Sequence, residues 1–254
     1  MDPLQLATLN IRNLADRWDE RLPLLLADMA ALQPDLMGLQ EVVYPLQQDR
    51  LIGAAGERRY ESHRAWAGRP EYGNALLVRE GLAVDAVERL ELGLNRSALR
   101  AVVTLPEATV LMAVTHLHHV PADEAERDDQ ARQLLEWLAS GPVTDAQIVV
   151  GDFNAEPDEP AADRIRSNGY RSAFAEVNGA DPPVTWPSGL QAPGMDTDGD
   201  PGCLDYIWVR GGVRVVSARL AFDRPAVGDP TLYPSDHIGL SAELSIEPGD
   251  RLAG

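Results

Sequence analysis

A chain of 254 residues that is 44% hydrophobic and 24% charged has the make-up of a globular protein with a sizeable core, which excludes a disordered or fibrous class. Its net charge of −18, with arginine supplying all 22 basic residues, argues against a broad basic surface for sequence-independent binding to a phosphate backbone. A single cysteine, Cys203, excludes an internal disulfide framework, suits a reducing cytoplasm and is read as structural.

The opening "MDPLQLATLNIRN" has no basic start and no long apolar run, and nowhere does the sequence reach the apolar length of a membrane span. A cytoplasmic protein without a membrane span is therefore expected. No repeat, low-complexity tract or Gly/Ser linker divides the chain, so one domain over residues 1–254 is expected, with no obligate protein partner.

In chain order, "LQLATLNIR" reads as the first strand. Leu22, Leu25, Leu26 and Met29 then recur at helical spacing, and the dipeptide "QP" stops that helix before the strand "DLMGLQEV". A helical stretch over residues 46–55 follows. "YESHRAW", "GNALLVRE", "LAVDAVERLEL", "SALRAVVTL" and "TVLMAVTHLHH" read as successive strands.

From Asp123 to Ser140 the pattern is helical, with Ala131, Leu134, Leu135 and Leu138 on one face. Asp123 and Glu126 form a candidate N-terminal cap, and Gly141-Pro142 a stop. "AQIVVGDFN" is a central strand and "EPAADRIRSNG" a short helix, after which "PVTW", "CLDYIWVRG", "VRVVSARLAF" and "DHIGLSAELSI" are strand-like. Many strands with a few interspersed helices predict two packed sheets with helices outside. Residues 186–202 form a long aperiodic loop.

The informative feature is a coincidence of strand ends. Asn10 ends "LATLN", Glu41 ends "LMGLQE", His116 ends "LMAVTH", and Asp152 and Asn154 end "IVVGDFN". Asp205 begins "LDYIWV", and Asp236-His237 begin "SDHIGLSAEL". Each alone reads as a cap or turn residue. Together at one rim, the acids would repel and raise one another's pKa unless a positive charge sat among them. Asp152 and Asn154, two apart on a strand, should point the same way. Oxygen ligands without thiolates suit magnesium or manganese, and the absence of an H-x-x-x-H spacing puts zinc second.

The set "LN…QE…TH…GDFN…LDYIW…PSDH" resembles the endonuclease/exonuclease/phosphatase superfamily of metal-dependent phosphoesterases, in the family's order from Asn10 to His237. The resemblance implies a four-layer α/β/β/α sandwich, two mixed β-sheets packed face to face with helices on the outer sides. It implies metal-assisted, in-line attack of water on a phosphodiester or phosphomonoester. By this resemblance Glu41 is the principal Mg2+ ligand, with Asn10 and Asp236 on the metal side. Asp152 orients or deprotonates the water, and Asn154 steadies the phosphate. His237 binds the phosphoryl group, Asp205 orients its ring, and His116 is a transition-state stabiliser or leaving-group acid.

Arg100, Asn74, Tyr72 and His118 are candidate substrate contacts, whereas His119 is placed in a solvated loop. Asp196, Asp198 and Asp200 in "DTDGDPG" allow a Ca2+ reading, but no glutamate follows at EF-hand spacing and a solvated acidic loop is preferred. Ile11-Arg12 after Asn10 disfavours an abasic-site enzyme. The charge favours a phosphorylated small-molecule or lipid-like substrate, with nucleic acid as the alternative if Arg64, Arg69 and Arg100 build a local positive cleft. A catalytically silent binding protein on the same fold is the remaining alternative, opposed by the full set of catalytic residue types.

Overall fold

The computed structural model describes residues 3–195 and 199–248. Its first sheet has the order β11-β12-β1-β2-β4-β3 and its second β5-β6-β7-β8-β10-β9. The first comprises β1 (Leu4–Asn10), β2 (Leu36–Val43), β3 (Tyr60–Trp66), β4 (Tyr72–Arg79), β11 (Val213–Ala221) and β12 (Gly239–Ile246). The second comprises β5 (Ala83–Gly93), β6 (Arg96–Thr104), β7 (Thr109–His116), β8 (Ala146–Asp152), β9 (Arg171–Ser172) and β10 (Asp205–Gly211). Each sheet is built around one parallel pair, β1 with β2 and β7 with β8. Parallel neighbours need a crossover, and α1 (Trp18–Leu32) and α3 (Glu124–Ala139) supply it.

Three apolar clusters make the four layers. Alternation along the strands sends Leu6, Leu36, Val114 and Val150 inward, where the sheets pack on each other. Ala7, Leu9, Met37 and Leu39 face outward onto Leu25 and Met29 of α1 and Ile52 of α2 (Gln48–Gly53). On the other side, Leu111, Val149 and Trp208 meet Leu134 and Leu138 of α3 and Ile165 of α4 (Pro160–Ser167). Gly38 lets the parallel pairs approach closely, because a Cβ there would lie 2.4 Å from Val150 Cγ2. Gly151 (φ 147°) does the same within the second sheet, where a Cβ would lie 2.0 Å from the Thr115 carbonyl oxygen.

The structure corrects several local expectations. "PVTW" forms no strand, only a single bridge from Trp186 to Gly202; Pro183 and Pro187 cannot donate to a ladder. The short β9 and α5 (Ala173–Asn178) lie in a stretch without clear periodicity, and α5 is capped by Ser172 Oγ accepting from Ala175 N. Asp123 does not cap α3 through its side chain, which turns instead to His118. Asp196 and Asp198 of the candidate Ca2+ loop lie outside the described residues, and Asp200 is exposed.

Candidate active site

The ends of the two parallel pairs meet directly. Asn10 closes β1, and its Nδ2 donates to Asp152 Oδ2 at the end of β8, 2.9 Å away. His116 closes β7 with Nε2 3.4 Å from the same oxygen. His237, in the turn before β12, places Nε2 3.6 Å from it, and His237 Nδ1 is 2.8 Å from Asp205 Oδ2. Asp205 opens β10 directly opposite Asp152 in the antiparallel register. All five side chains are buried.

Charge divides unequally among these groups. Burial raises the Asp152 carboxyl and Asp205 adds to the rise, while His237 and the Asn10 amide oppose it. Burial also opposes a proton on His237, but Asp205, Asp152 and Asp236 outweigh that cost and raise its pKa. His116 goes the other way. Burial first, then the charges of Arg96 and His237, hold it well below the ordinary imidazole value. Asp152 thus sits between a protonated ring and a neutral one, the separation by environment that acid–base sites use.

A second group of acids faces the first. Glu41 has a left-handed backbone (φ 60°) where the β2–β4 register breaks between Leu39 and Val42. Such a conformation costs roughly 1–3 kcal/mol and re-aims the side chain. Asn13 Nδ2 donates to Glu41 Oε2 at 2.6 Å. Tyr72 is the neighbour whose phenol is pushed up by burial first and then by the Glu41 charge. Asp236 accepts from Trp186 Nε1 at 3.3 Å and from Ser235 Oγ at 3.2 Å. Arg12 Nε stands 3.5 Å from Asp236 and 2.6 Å from Asp16. Burial opposes the Arg12 charge, yet Asp236, Asp16 and Glu41 raise its pKa.

The donor set fits a hard divalent cation. Asp152, Asp205 and His237 form a close grouping, one ligand atom from each lying within 4.8 Å of the others. That grouping is a proton-holding triad more than a metal cage, since the His237 ring is engaged by Asp205 and, once protonated, has no lone pair to give. Glu41 and Asp236 offer carboxylate oxygens without sulfur, the donor chemistry of a hard divalent cation. Cys203 is turned away, with Sγ 3.8 Å from the Asp205 carbonyl oxygen.

The structure brings Asn10, Glu41, Tyr72, His116, Asp152, Asp205, Asp236 and His237 to this rim, keeps Asn154 in contact with Asp152, and turns other candidates elsewhere. Asn154 follows the end of β8 with φ 49°, so strand alternation does not orient it. Its N–H donates to Asp152 Oδ1 at 2.9 Å, and its Nδ2 to the Leu117 carbonyl at 3.1 Å. Asn74 Nδ2 donates to the Ser97 carbonyl at 2.7 Å, tying one sheet to the other.

Arg100 is corrected. It faces the helix side of its strand, pairs with Glu88 at 2.6 Å, and donates to the Trp137 carbonyl near the C-terminal end of α3. There a cation complements the helix dipole, far from the phosphate role. Arg64 is likewise committed, to Asp49 at 2.7 and 2.8 Å. His119 lies in the exposed stretch expected of it, whereas His118 is buried and turned away from the rim. β7 stops at His116, so alternation no longer carries His118, whose Nε2 lies 2.9 Å from Asp123 Oδ2. His119 Nδ1 instead meets Arg96 NH2 at 2.9 Å beside His116.

Arg96, Asn13 and Arg21 were not singled out by sequence. Arg96 opens a strand antiparallel to the one ending in His116, and that pairing alone would have placed it at this rim. Arg21 shares a helix face with Leu25 and Met29, a buried cation disguised in an apolar stripe.

Residues 7–237 match the model of the Endonuclease/Exonuclease/phosphatase family. Nocturnin from Rattus norvegicus and from Homo sapiens are each 29% identical, the alignment covering 93% of this chain and 61% of theirs. The chain thus spans about six-tenths of the length of those relatives. The human Nocturnin catalytic domain with bound sulfate superposes with a TM-score of 0.74 and 25% identity, over 97% of both chains. D. rerio TDP2 complexed with single strand DNA product superposes with a TM-score of 0.76 and 18% identity, over 95% of this chain and 98% of that one, a likeness of fold. The shared architecture and the match over most of the sequence place the chain in the endonuclease/exonuclease/phosphatase family, whose members are hydrolases of phosphoric ester bonds.

Proposed function

We propose that this protein, as one domain over residues 1–254, hydrolyses phosphoric esters of a small phosphorylated molecule with the help of Mg2+ or Mn2+. The observation that carries the reading is Asp152 Oδ2, which receives the Asn10 amide at 2.9 Å with the His116 and His237 rings 3.4 and 3.6 Å away. A carboxylate so placed, with its pKa raised by burial, can hold a water and accept its proton. The His237 imidazolium, oriented by Asp205, is poised to hydrogen-bond a phosphoryl oxygen as charge builds there. The neutral His116 ring positions the leaving side. Glu41 and Asp236, with the Asn10 carboxamide nearby, would hold the cation. Bound there, it would supply positive charge and acidify a water.

The small-substrate reading is supported by the charge of −18 and by the loss of Arg64 and Arg100 to internal ion pairs. A positive track for a long polyanion then lacks two of its three expected members. No helix among the described residues is long and apolar enough to cross a membrane, and the buried free thiol of Cys203 suits a reducing cytoplasm. Purified protein should hydrolyse bis(p-nitrophenyl) phosphate with Mg2+ or Mn2+ and stop with EDTA. Activity indifferent to the chelator would remove the metal from the mechanism. Asp152→Asn and His237→Ala should each lower turnover by roughly 100-fold or more with the fold retained; unchanged rates in both would reassign the site.

A further inference from the structure

Arg96 departs from its neighbours in what it touches. Arg12, Arg17 and Arg64 each end on carboxylates. Arg96 ends on imidazoles, with NH1 3.0 and 3.1 Å from the two ring nitrogens of His116 and NH2 2.9 Å from His119 Nδ1. Its Nε is buried without an acceptor. An imidazole cannot supply a counter-charge to a guanidinium, and both rings are held neutral, their pKa values lowered by burial first and by Arg96 next. The nearby Glu41 carboxylate is engaged by Asn13. A half-buried guanidinium resting on neutral rings is costly until an anion arrives.

The placement of the fork says which anion. NH1 lies inward against buried His116, whose Nε2 is 3.4 Å from Asp152 Oδ2. NH2 lies outward against exposed His119. Arg96 therefore stands one side chain removed from the reacting carboxylate, on the solvent side, where a non-reacting part of a substrate would lie. We infer that Arg96 and His119 form a second anion subsite, and that the preferred substrate is a small molecule carrying a terminal phosphate beside the ester that is cleaved. A guanidinium fork matches a phosphate dianion bidentately, and a protonated His119 would add a donor once the dianion is bound. The inference rests on the phosphoesterase reading above and names its substrate class.

Three chromogenic esters test it. They are thymidine 5′-(p-nitrophenyl phosphate), the same diester bearing a 3′-phosphate, and the p-nitrophenyl ester of the dinucleotide pTpT, whose second phosphorus is an internal diester. The 3′-phosphorylated ester should show the lowest KM. Arg96→Gln should raise its KM about 10-fold more than that of the ester without a second phosphate, with Arg96→Lys intermediate. Equal losses on the first two esters would mean that Arg96 touches the scissile group and would overturn the subsite. Equal dependence of the pTpT ester on Arg96 would overturn the small-molecule part in favour of a polynucleotide.

Calorimetric titration of the Asp152→Asn variant with thymidine 3′,5′-bisphosphate and with thymidine 5′-monophosphate gives a readout free of turnover. Tighter binding of the bisphosphate, lost on adding Arg96→Gln, is expected; no difference between the two ligands would sink the subsite. Should no ester be hydrolysed, the phosphoesterase reading falls by itself, and the titration still judges the subsite.

Discussion

The two halves of the rim are held by the same device executed in two chemistries. On the first sheet's side, the fully buried Arg21 of α1 donates five hydrogen bonds, all to backbone carbonyls. These belong to Ile11 at 3.0 Å, Arg12 at 3.2 Å, Ala15 at 2.7 Å, Asp16 at 2.6 Å and Pro234 at 2.8 Å. It thereby fastens the loop after Asn10 to the segment that carries Asp236 and His237. On the second side, the equally buried Arg127 of α3 gives Nε and NH2 to Glu159 Oε2 at 3.0 and 2.7 Å. It also donates to the Val120 and Pro121 carbonyls at 2.6 and 2.9 Å, fastening the loop after His116 to the one after Asp152. Both arginines sit on the crossover helix of a parallel pair.

The difference lies in the partner. Arg21 has dipoles only, so burial pulls its pKa down to about 10, with Asp236 and Asp16 pushing back from a distance. Arg127 has a carboxylate in contact. Loops at strand ends have no ladder to satisfy their carbonyls, and a rigid five-donor fork replaces it. A clamp made only of carbonyls is the harder to replace. Arg21→Met should therefore cost about 3–5 kcal/mol in urea denaturation, since it strands several buried acceptors at once. Arg21→Lys should recover only part, because one ammonium cannot reach all five. A Met variant as stable as the parent would refute the clamp.

Arg127→Met should cost less, about 2 kcal/mol, because Glu159 is partly solvated and keeps its bond from Glu156 N at 3.1 Å. Combining it with Glu159→Gln sharpens the contrast. The two changes should be non-additive by about 1 kcal/mol, whereas Glu159→Gln and Arg21→Met, on opposite sides of the rim, should add. Additivity within the first pair would mean that the Arg127 ion pair contributes nothing.

The clamps also mark how far the sequence could be read. The strand-end residues were legible because strand periodicity and the family order both point to them, and the structure gathers Asn10, Glu41, His116, Asp152, Asp205, Asp236 and His237. What a cation does was not legible, since an arginine looks alike on any strand or helix. Arg100 looked like a phosphate ligand because its strand leads toward His116, but its position parity faces α3. Arg21 and Arg96 matter because of which loops and rings fold against them, and those contacts span as many as 213 positions for Arg21. His118 was misplaced because the strand ends at His116, three residues before the end of the segment "TVLMAVTHLHH".

Arg100 extends the comparison along one helix, for α3 is gripped near its start by Arg127 and at its end by Arg100. Arg100→Gln should lower stability by about 1 kcal/mol through the lost C-terminal contact and the half-exposed Glu88 pair. KM for any phosphoester should not change. A raised KM would return Arg100 to the site that the structure denies it.

The smallest expected effect is also the most local. Cys203 is buried in the second half, its N–H donating to Glu156 Oε2 at 3.3 Å, and burial pushes its thiol well up, with Asp181 adding to the rise. A buried, protonated thiol reacts only through opening of its surroundings. Labelling by 5,5′-dithiobis(2-nitrobenzoate) without denaturant should be slow in the parent. In Arg127→Met it should accelerate beyond what the loss of global stability accounts for, because Glu156 and Glu159 share the released loop. In Arg21→Met it should accelerate only as far as global unfolding does, since that clamp holds the other half. Equal, purely global acceleration in both would mean that the rim opens as a single unit, and that the two clamps divide its chemistry but not its motion.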